Sequence, residues 1–291
     1  MSRTNLQVDE VLQKRIQIKT SSPKRLAMLF VEIVMCALAF IFLFPALLTL
    51  VNSFKSHPEI VMNPFALPTK LQLSNYANAW RETNFPVVLA NTFLITLGST
   101  IGIVLVSSMA AYVLVRFKWK ISWVIFLLFT FSMVVPFQAI MVPLFANAKS
   151  LNLLTILGII PIYIGLGCPL AIFMYHGFIK GVPLEIEESA AIDGASMFRR
   201  FFQVVFPLLT PITATVAILN VLWIWNDFLL PLLIIPGQTL QLAQYKFIGQ
   251  FRQDYALAMA SLVLSASPIV LFYLIMQKYI IKGISAGAVK G

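Results

Sequence analysis

Six stretches of this sequence run without a single Asp, Glu, Lys or Arg: 33–54, 83–115, 121–148, 150–179, 201–226 and 255–277. A charge at the centre of a bilayer costs roughly 2.5 to 3.5 kcal/mol on insertion scales, and a helix needs about 20 apolar residues to cross. Each stretch is therefore read as one span of an all-α integral membrane protein with six transmembrane helices. Composition agrees: of 291 residues 59% are hydrophobic and 11% charged, which leaves too little polar surface to cover a soluble globule of this size. A seventh uncharged stretch, 228–245, holds Pro231, Pro236, Gly237 and three glutamines, and reads as an exported loop with a re-entrant start.

Six spans place both termini on one side, and the basic residues decide which. The side made of the N-terminal arm, the loops after spans two and four and the tail carries fifteen of the 21 Lys and Arg. The other side carries six: Lys55, Lys70, Arg81, Lys149, Lys246 and Arg252. Both termini are thus expected in the cytoplasm, the chain crossing the membrane several times. The arm, 1–25, is too short to bury a core. The membrane-spanning helical region covers 26–282, and 283–291 forms a cytoplasmic tail. The apolar run after Lys24 and Arg25 is too long for a cleaved signal core. Two outer segments, 57–86 and 237–254, are long enough to meet a partner outside.

Several function classes lack their chemistry here. The net charge of +10 suggests nucleic acid, but the basic residues lie in short clusters between apolar runs, so membrane topology explains them and no nucleic-acid partner is expected. Cys36 and Cys168 both lie inside apolar runs, which excludes a disulfide framework and a four-ligand zinc site. There is no phosphate-binding Gly-x-x-x-x-Gly-Lys-Ser/Thr, so this chain does not hydrolyse ATP by the usual route. His57 and His176 are far apart and form no His-Glu-x-x-His pair; no catalytic or metal-binding residue is expected. An ion-coupled carrier keeps ionisable groups within its spans. The candidates are Glu32, read as a helix-start carboxylate, and Asp227, read with Trp223 and Trp225 as part of an interfacial belt.

Gly98 and Gly102 form a small-x-x-x-small ridge that lets a second helix approach closely, and prolines at 136, 143, 161, 169, 211 and 268 permit kinks. Neutral polar side chains within spans mostly bond to neighbouring helices. Gln138, Asn220 and Asn226 are the candidates for lining a route for a hydroxyl-rich solute.

The segment 183–207 reads as a helix, a stop and a second helix. Pro183 suits the first helical position, and Glu185, Glu187 and Glu188 complement the positive end of the helix dipole. Gly194 provides the stop, and aromatic residues at 198, 201, 202 and 206 mark the second helix. Small residues at Ser189, Ala190, Ala191 and Ala195 allow close approach to another protein. Three carboxylates oppose the alternative of a helix lying on an anionic leaflet.

Glu188-Ser189-Ala190, then Asp193-Gly194-Ala195 and Pro207, resembles the EAA loop of permease subunits of binding-protein-dependent ABC importers. Ser189 replaces the usual alanine, small for small. Asn75-Tyr76 with Trp80, Ala110-Ala111-Tyr112 with Arg116-Phe117, Trp225-Asn226-Asp227-Phe228 and the tail from Gly283 are similar to the carbohydrate branch, in particular the second permease of maltose-type importers.

The resemblance implies a division of labour. A second six-span permease completes the pathway, two copies of a cytoplasmic ATPase with bound ATP and Mg drive it, and an extracytoplasmic solute-binding protein delivers the sugar. The resemblance also implies that this chain needs no cofactor of its own and is surrounded by the lipid of a bacterial cytoplasmic (inner) membrane. The EAA loop acts as a coupling helix seated in the ATPase, which assigns Glu185, Glu188, Ser189, Ala190, Asp193, Gly194, Ala195 and Phe198 to energy coupling. The outer loop after span five reaches the binding protein, with Gln241, Gln244 and Tyr245 as its contacts. The alternatives are a gradient-driven secondary transporter, or the same machine for a solute such as a polyol phosphate.

Overall fold

A computed structural model describes residues 22–117, 119–248 and 253–288. The rest of the arm and of the tail lies outside these residues, as do Lys118 and Arg252. Helices account for most of the described chain; its one isolated bridge pairs Ile248 with Gln253.

Helix α1 (Ser22–Asn52) belongs, as far as Val51, to a unit of its own. Every residue from 27 to 47 is exposed, Phe42 at 81%. A helix that is apolar on every face is one that lipid solvates.

The second unit begins at Asn52. It contains α2 (His57–Met62), α3 (Ser74–Glu82), α4 (Phe85–Arg116), α5 (Lys120–Ser132), α6 (Phe137–Ser150), α7 (Ile159–Ile179) and α8 (Leu184–Ile192). After these come α9 (Met197–Arg200), a π turn (Phe201–Val205), α10 (Phe206–Leu208), α11 (Thr210–Asn226), α12 (Leu229–Ile234), α13 (Leu240–Ala243) and α14 (Tyr255–Ala288). Among the described residues four helices are long and apolar enough to cross a membrane, or up to six if α5 with α6, and α9–α10 with α11, each count as one bent span.

The central pair is α4 against α7, and its closeness comes from the glycine ridge. A β-carbon on Gly98 would stand 3.0 Å from Ile160 Cδ1, and one on Gly102 would stand 2.7 Å from Ile164 Cγ1. The ridge thus forms a groove that receives two isoleucines one turn apart, bringing the backbones together as small-residue motifs do in membranes. Along the same helix Thr92, Thr96, Ser99, Thr100, Ser107 and Ser108 are buried. Helix α11 closes over this pair, tied to α7 by Tyr175 Oη donating to Thr213 Oγ1 at 3.0 Å.

Two runs expected as single helices are broken. Between α5 and α6 the chain turns by 104°. Pro136 has no N–H to continue α5 and biases Val135 away from helical geometry; it becomes the residue before α6 instead, with ψ 138°. The segment before α11 bends by 78° at Leu209, between Pro207 and Pro211. Thr210 Oγ1 donates to the carbonyl of Pro207, which loses its helical i+4 donor because Pro211 stands four residues on. The run expected from Ser150 starts helically at Ile159. Asn152, in left-handed geometry (φ 57°), closes α6, with Leu153 N–H on Ala148 O at 2.8 Å and Asn152 N–H on Lys149 O at 3.1 Å.

The stretch 53–82 folds down on polar staples. Asn75 Nδ2 donates to Ser53 O and Lys55 O at 2.9 and 2.8 Å, and buried Lys55 donates through Nζ to Asn63 O and Pro64 O. Glu59 closes a capping box with Ser56 at the start of α2 and accepts from Thr69 Oγ1.

Candidate functional site

Helix α7 ends in a tight turn, Gly181 N–H on Phe178 O and Val182 N–H on Ile179 O, both at 3.0 Å. Pro183, extended (ψ 135°), caps α8 rather than opening it, one position before the expected place. Glu185 and Glu187 occupy the first turn, where the helix dipole favours negative charge.

Their surroundings differ completely. Glu187 is buried, and its carboxylate faces the end of α4: Oε2 accepts from Tyr112 Oη at 2.8 Å, and Oε1 accepts from Arg116 Nε at 2.6 Å. Arg116 Nη2 lies 2.5 Å from the same Oε1 and also donates to Val182 O at 3.0 Å. One carboxylate thus joins α8, the preceding turn and α4. A charge this deeply buried is tolerated because both oxygens are hydrogen-bonded and the partner is a guanidinium.

Glu185, Glu188, Ser189, Asp193 and Gly194 are exposed, Ala190 and Ala195 partly covered, and Phe198 is 67% exposed. Anchoring through Glu187 therefore leaves the opposite face of α8 and the following turn open. That turn is a Schellman closure: Ala195 N–H reaches Ala190 O and Gly194 N–H reaches Ala191 O, both at 3.0 Å, with Gly194 at φ 80°. Ser196 then caps α9, accepting from Arg199 N–H. Phe201, buried, packs on Tyr112 with ring centroids 5.2 Å apart, so the second helix of the loop returns to the same anchor.

The three pathway candidates have separate settings. Asn220 is buried between helices, donating to Val216 O at 2.8 Å, with Oδ1 3.0 Å from where a β-carbon on Gly167 would stand. Asn226 is exposed and donates back to Leu222 O. Gln138, exposed at the start of α6, lines a cavity of about 630 Å³ at the α5–α6 elbow. Asp227 lines it too. It is more than a belt residue, since Oδ2 accepts from buried Tyr163 Oη at 2.9 Å and Oδ1 accepts from Leu229 N–H at 3.1 Å.

In the segment after α11, Gln241 donates to Trp225 O near the end of α11, and Gln244 donates to Gln241. Tyr245 is 56% exposed, its ring 4.5 Å from that of Phe228. Asn91 Nδ2 on Gln238 O and Leu240 N–H on Thr92 Oγ1 fasten this segment to the start of α4.

The Tyr112, Arg116 and Glu187 joint was not assigned from sequence. Its signal was the first cation to close a charge-free run, with a tyrosine one turn before it, a pair that a carboxylate from elsewhere in the chain can complete.

Fold and loop define a class: a helical membrane subunit with four to six apolar spans that displays a short exposed helix keyed to one of them. The chain belongs to the family of binding-protein-dependent transport system inner membrane components, whose model matches residues 102–286. It is a transport subunit and not an enzyme. It is 41% identical over 256 residues to the probable starch degradation products transport system permease protein AmyC of Thermoanaerobacterium thermosulfurigenes, covering 87% of this chain and 93% of that one. It is 34% identical over 273 residues to the melibiose/raffinose/stachyose import permease protein MelC of Bacillus subtilis, covering 92% and 97%. Its fold matches a chain in the crystal structure of a bacterial ABC transporter involved in import of the acidic polysaccharide alginate, with a TM-score of 0.77, 23% identity, and 89% and 98% of the two chains covered.

Proposed function

We propose that this chain is a six-span permease subunit of an ATP-driven importer for a sugar or oligosaccharide, with both termini in the cytoplasm. A second permease completes an alternating-access pathway, two copies of an ATPase power it, and an extracytoplasmic binding protein delivers the solute. Helix α8 is the coupling helix: Glu185, Glu188, Ser189, Ala190, Asp193, Gly194, Ala195 and Phe198 meet the ATPase. Gln138 faces the solute route, and the segment with Gln241, Gln244 and Tyr245 faces the binding protein. The arm 1–25 and the tail 283–291 lie on the ATPase side.

The observation that supports this most is the anchor at Glu187. A short helix bonded to a long one transmits a rigid-body displacement, which a slack loop would absorb. The sugar assignment is supported by relatives named for starch degradation products and for melibiose, raffinose and stachyose.

The test is affinity purification from detergent-solubilised native membranes, wild type beside Gly194→Val. An ATPase and a second permease are expected with wild type, the ATPase being lost or uncoupled in the variant. A chain that purifies alone and transports on an ion gradient overturns the reading.

A further inference from the structure

We propose that this chain carries a subsite of its own for a neutral sugar, in the cavity at the α5–α6 elbow. The proposal rests on the importer reading above and adds which subunit holds the solute and which charge of solute is accepted.

The cavity, of about 630 Å³, is large enough for a sugar unit, and Ser132, Gln138, Gly165, Trp223 and Asp227 supply its distinctive chemistry. It gathers groups from the end of α5, the start of α6, the middle of α7 and the end of α11. Asp227 is a positioned acceptor. Tyr163 and the Leu229 amide fix its carboxylate, and the Phe228 and Leu230 amides also face it, so a ligand's hydroxyl would share its acceptor positions with these donors. Gln138 adds an amide that both donates and accepts. Trp223 is 41% exposed, and its indole meets the Tyr163 ring edge-on with centroids 5.5 Å apart, so one tyrosine orients both the carboxylate and the indole. An acceptor pair beside an aromatic surface matches the two surfaces of a pyranose, a rim of hydroxyls and a face of C–H bonds. At Gly165 nothing lies within 4 Å of where a β-carbon would project, so the floor is open.

Charge narrows the ligand class. The described lining contains Asp227 and no Lys, Arg or His. A uronate or sugar phosphate would bring a negative charge beside the Asp227 carboxyl, in a site with no cation to pair it, a repulsive element that rejects it. Neutral sugars meet no such penalty.

The test uses the complete transporter in proteoliposomes, with ATP and liganded binding protein saturating. Sugar moved per ATP hydrolysed is measured for a neutral oligosaccharide and a uronate-containing one. Trp223→Leu and Asp227→Asn should each lower neutral-sugar uptake per ATP by about tenfold, the size expected for losing one stacking or hydrogen-bonding partner. Trp223→Tyr should restore most of the loss, and Asp227→Asn should narrow the preference for neutral over uronate-containing sugar. Gly165→Leu fills the floor without touching a polar group, and should stop uptake while the subunits still copurify. Assembled variants with unchanged uptake per ATP and unchanged preference overturn the subsite and leave the importer reading intact. Wild-type uptake that needs no ATP overturns the importer reading. If Asp227→Asn then abolishes dependence on an ion gradient, the carboxylate serves a cation and the subsite is overturned as well.

Discussion

Ile164 fills the space beside Gly102 that a side chain there would need: a β-carbon on Gly102 would stand 2.7 Å from Ile164 Cγ1 and closer still to Cδ1. Gly102→Val should therefore force the α4–α7 pair apart, at a cost of about 1–3 kcal/mol for overpacking. Denaturation in mixed micelles measures it. Ile164→Ala, by vacating the same space, should relieve much of the penalty in the double variant; additive losses would show that the two residues do not meet.

Breaking the joint between α4 and α8 has a larger effect. Glu187→Ala leaves the Arg116 guanidinium buried without its carboxylate and Tyr112 without its acceptor. The expected loss is roughly 3 kcal/mol, at the low end for a broken buried pair because Arg116 keeps 14% of its side-chain surface exposed. Replacing both partners, Arg116→Leu with Glu187→Leu, should recover much of that stability. It should not recover ATP-coupled uptake if the joint transmits movement, so the two measurements separate holding from coupling.

At Gly194 the cost is conformational. No atom lies within 4 Å of a substituted β-carbon, but the backbone sits at φ 80°. Gly194→Ala should cost about 1 kcal/mol, Gly194→Val more, and Gly194→Asn least, since asparagine visits the left-handed region most readily. Retention of the ATPase on purified transporter should follow the same order. A variant order set by side-chain size alone would point to a clash with the partner instead.

Glu59 gives the segment 53–82 a dependence on acid. Hydrogen bonds from Thr69 first, then from Ser56, hold its carboxyl down from an ordinary 4.5 to about 2. A pKa lower in the folded state means that the stabilisation is complete above the ordinary value and is lost as pH falls from there toward the depressed one. A spin label on Lys70→Cys should therefore gain mobility progressively below pH 4.5. In Glu59→Gln the label should start more mobile and respond little over the same range. A wild-type label that ignores pH down to 2 would refute the linkage.

Much of the architecture was legible because lipid imposes a simple rule on composition. The run 83–115 becomes α4, ending at Arg116, because charge marks where apolar surroundings stop. Direction was less legible. Pro136 and Pro211 were visible as prolines, but whether a proline bends a helix or ends it depends on which donor takes the freed carbonyl, as Thr210 does for Pro207. The site divides similarly. Gly194 announces a stop because few other residues adopt its geometry, whereas Glu187 looks like its neighbours Glu185 and Glu188. Its separate role follows from a partner 71 positions earlier, which periodicity does not reveal. Asn220 is a pathway candidate by residue type; that its side chain lies beside Gly167 is a matter of helical phase, which packing fixes and residue type does not reveal.

The π turn at Phe201–Val205 sits between the capped start of α9 and the bend at Leu209. Such a turn accommodates one residue more than an α-helical turn between the same two ends. The connection from the displayed helix back into the bundle thus contains a spare link, and removing one residue there would let the turn tighten into ordinary helix while Ser196 and Pro207 keep their places. Elsewhere in a packed span a one-residue deletion swings every following side chain about 100° around the axis. The chain can therefore vary in length at this point between the surface it shows to others and the core it keeps for itself, without the two losing alignment.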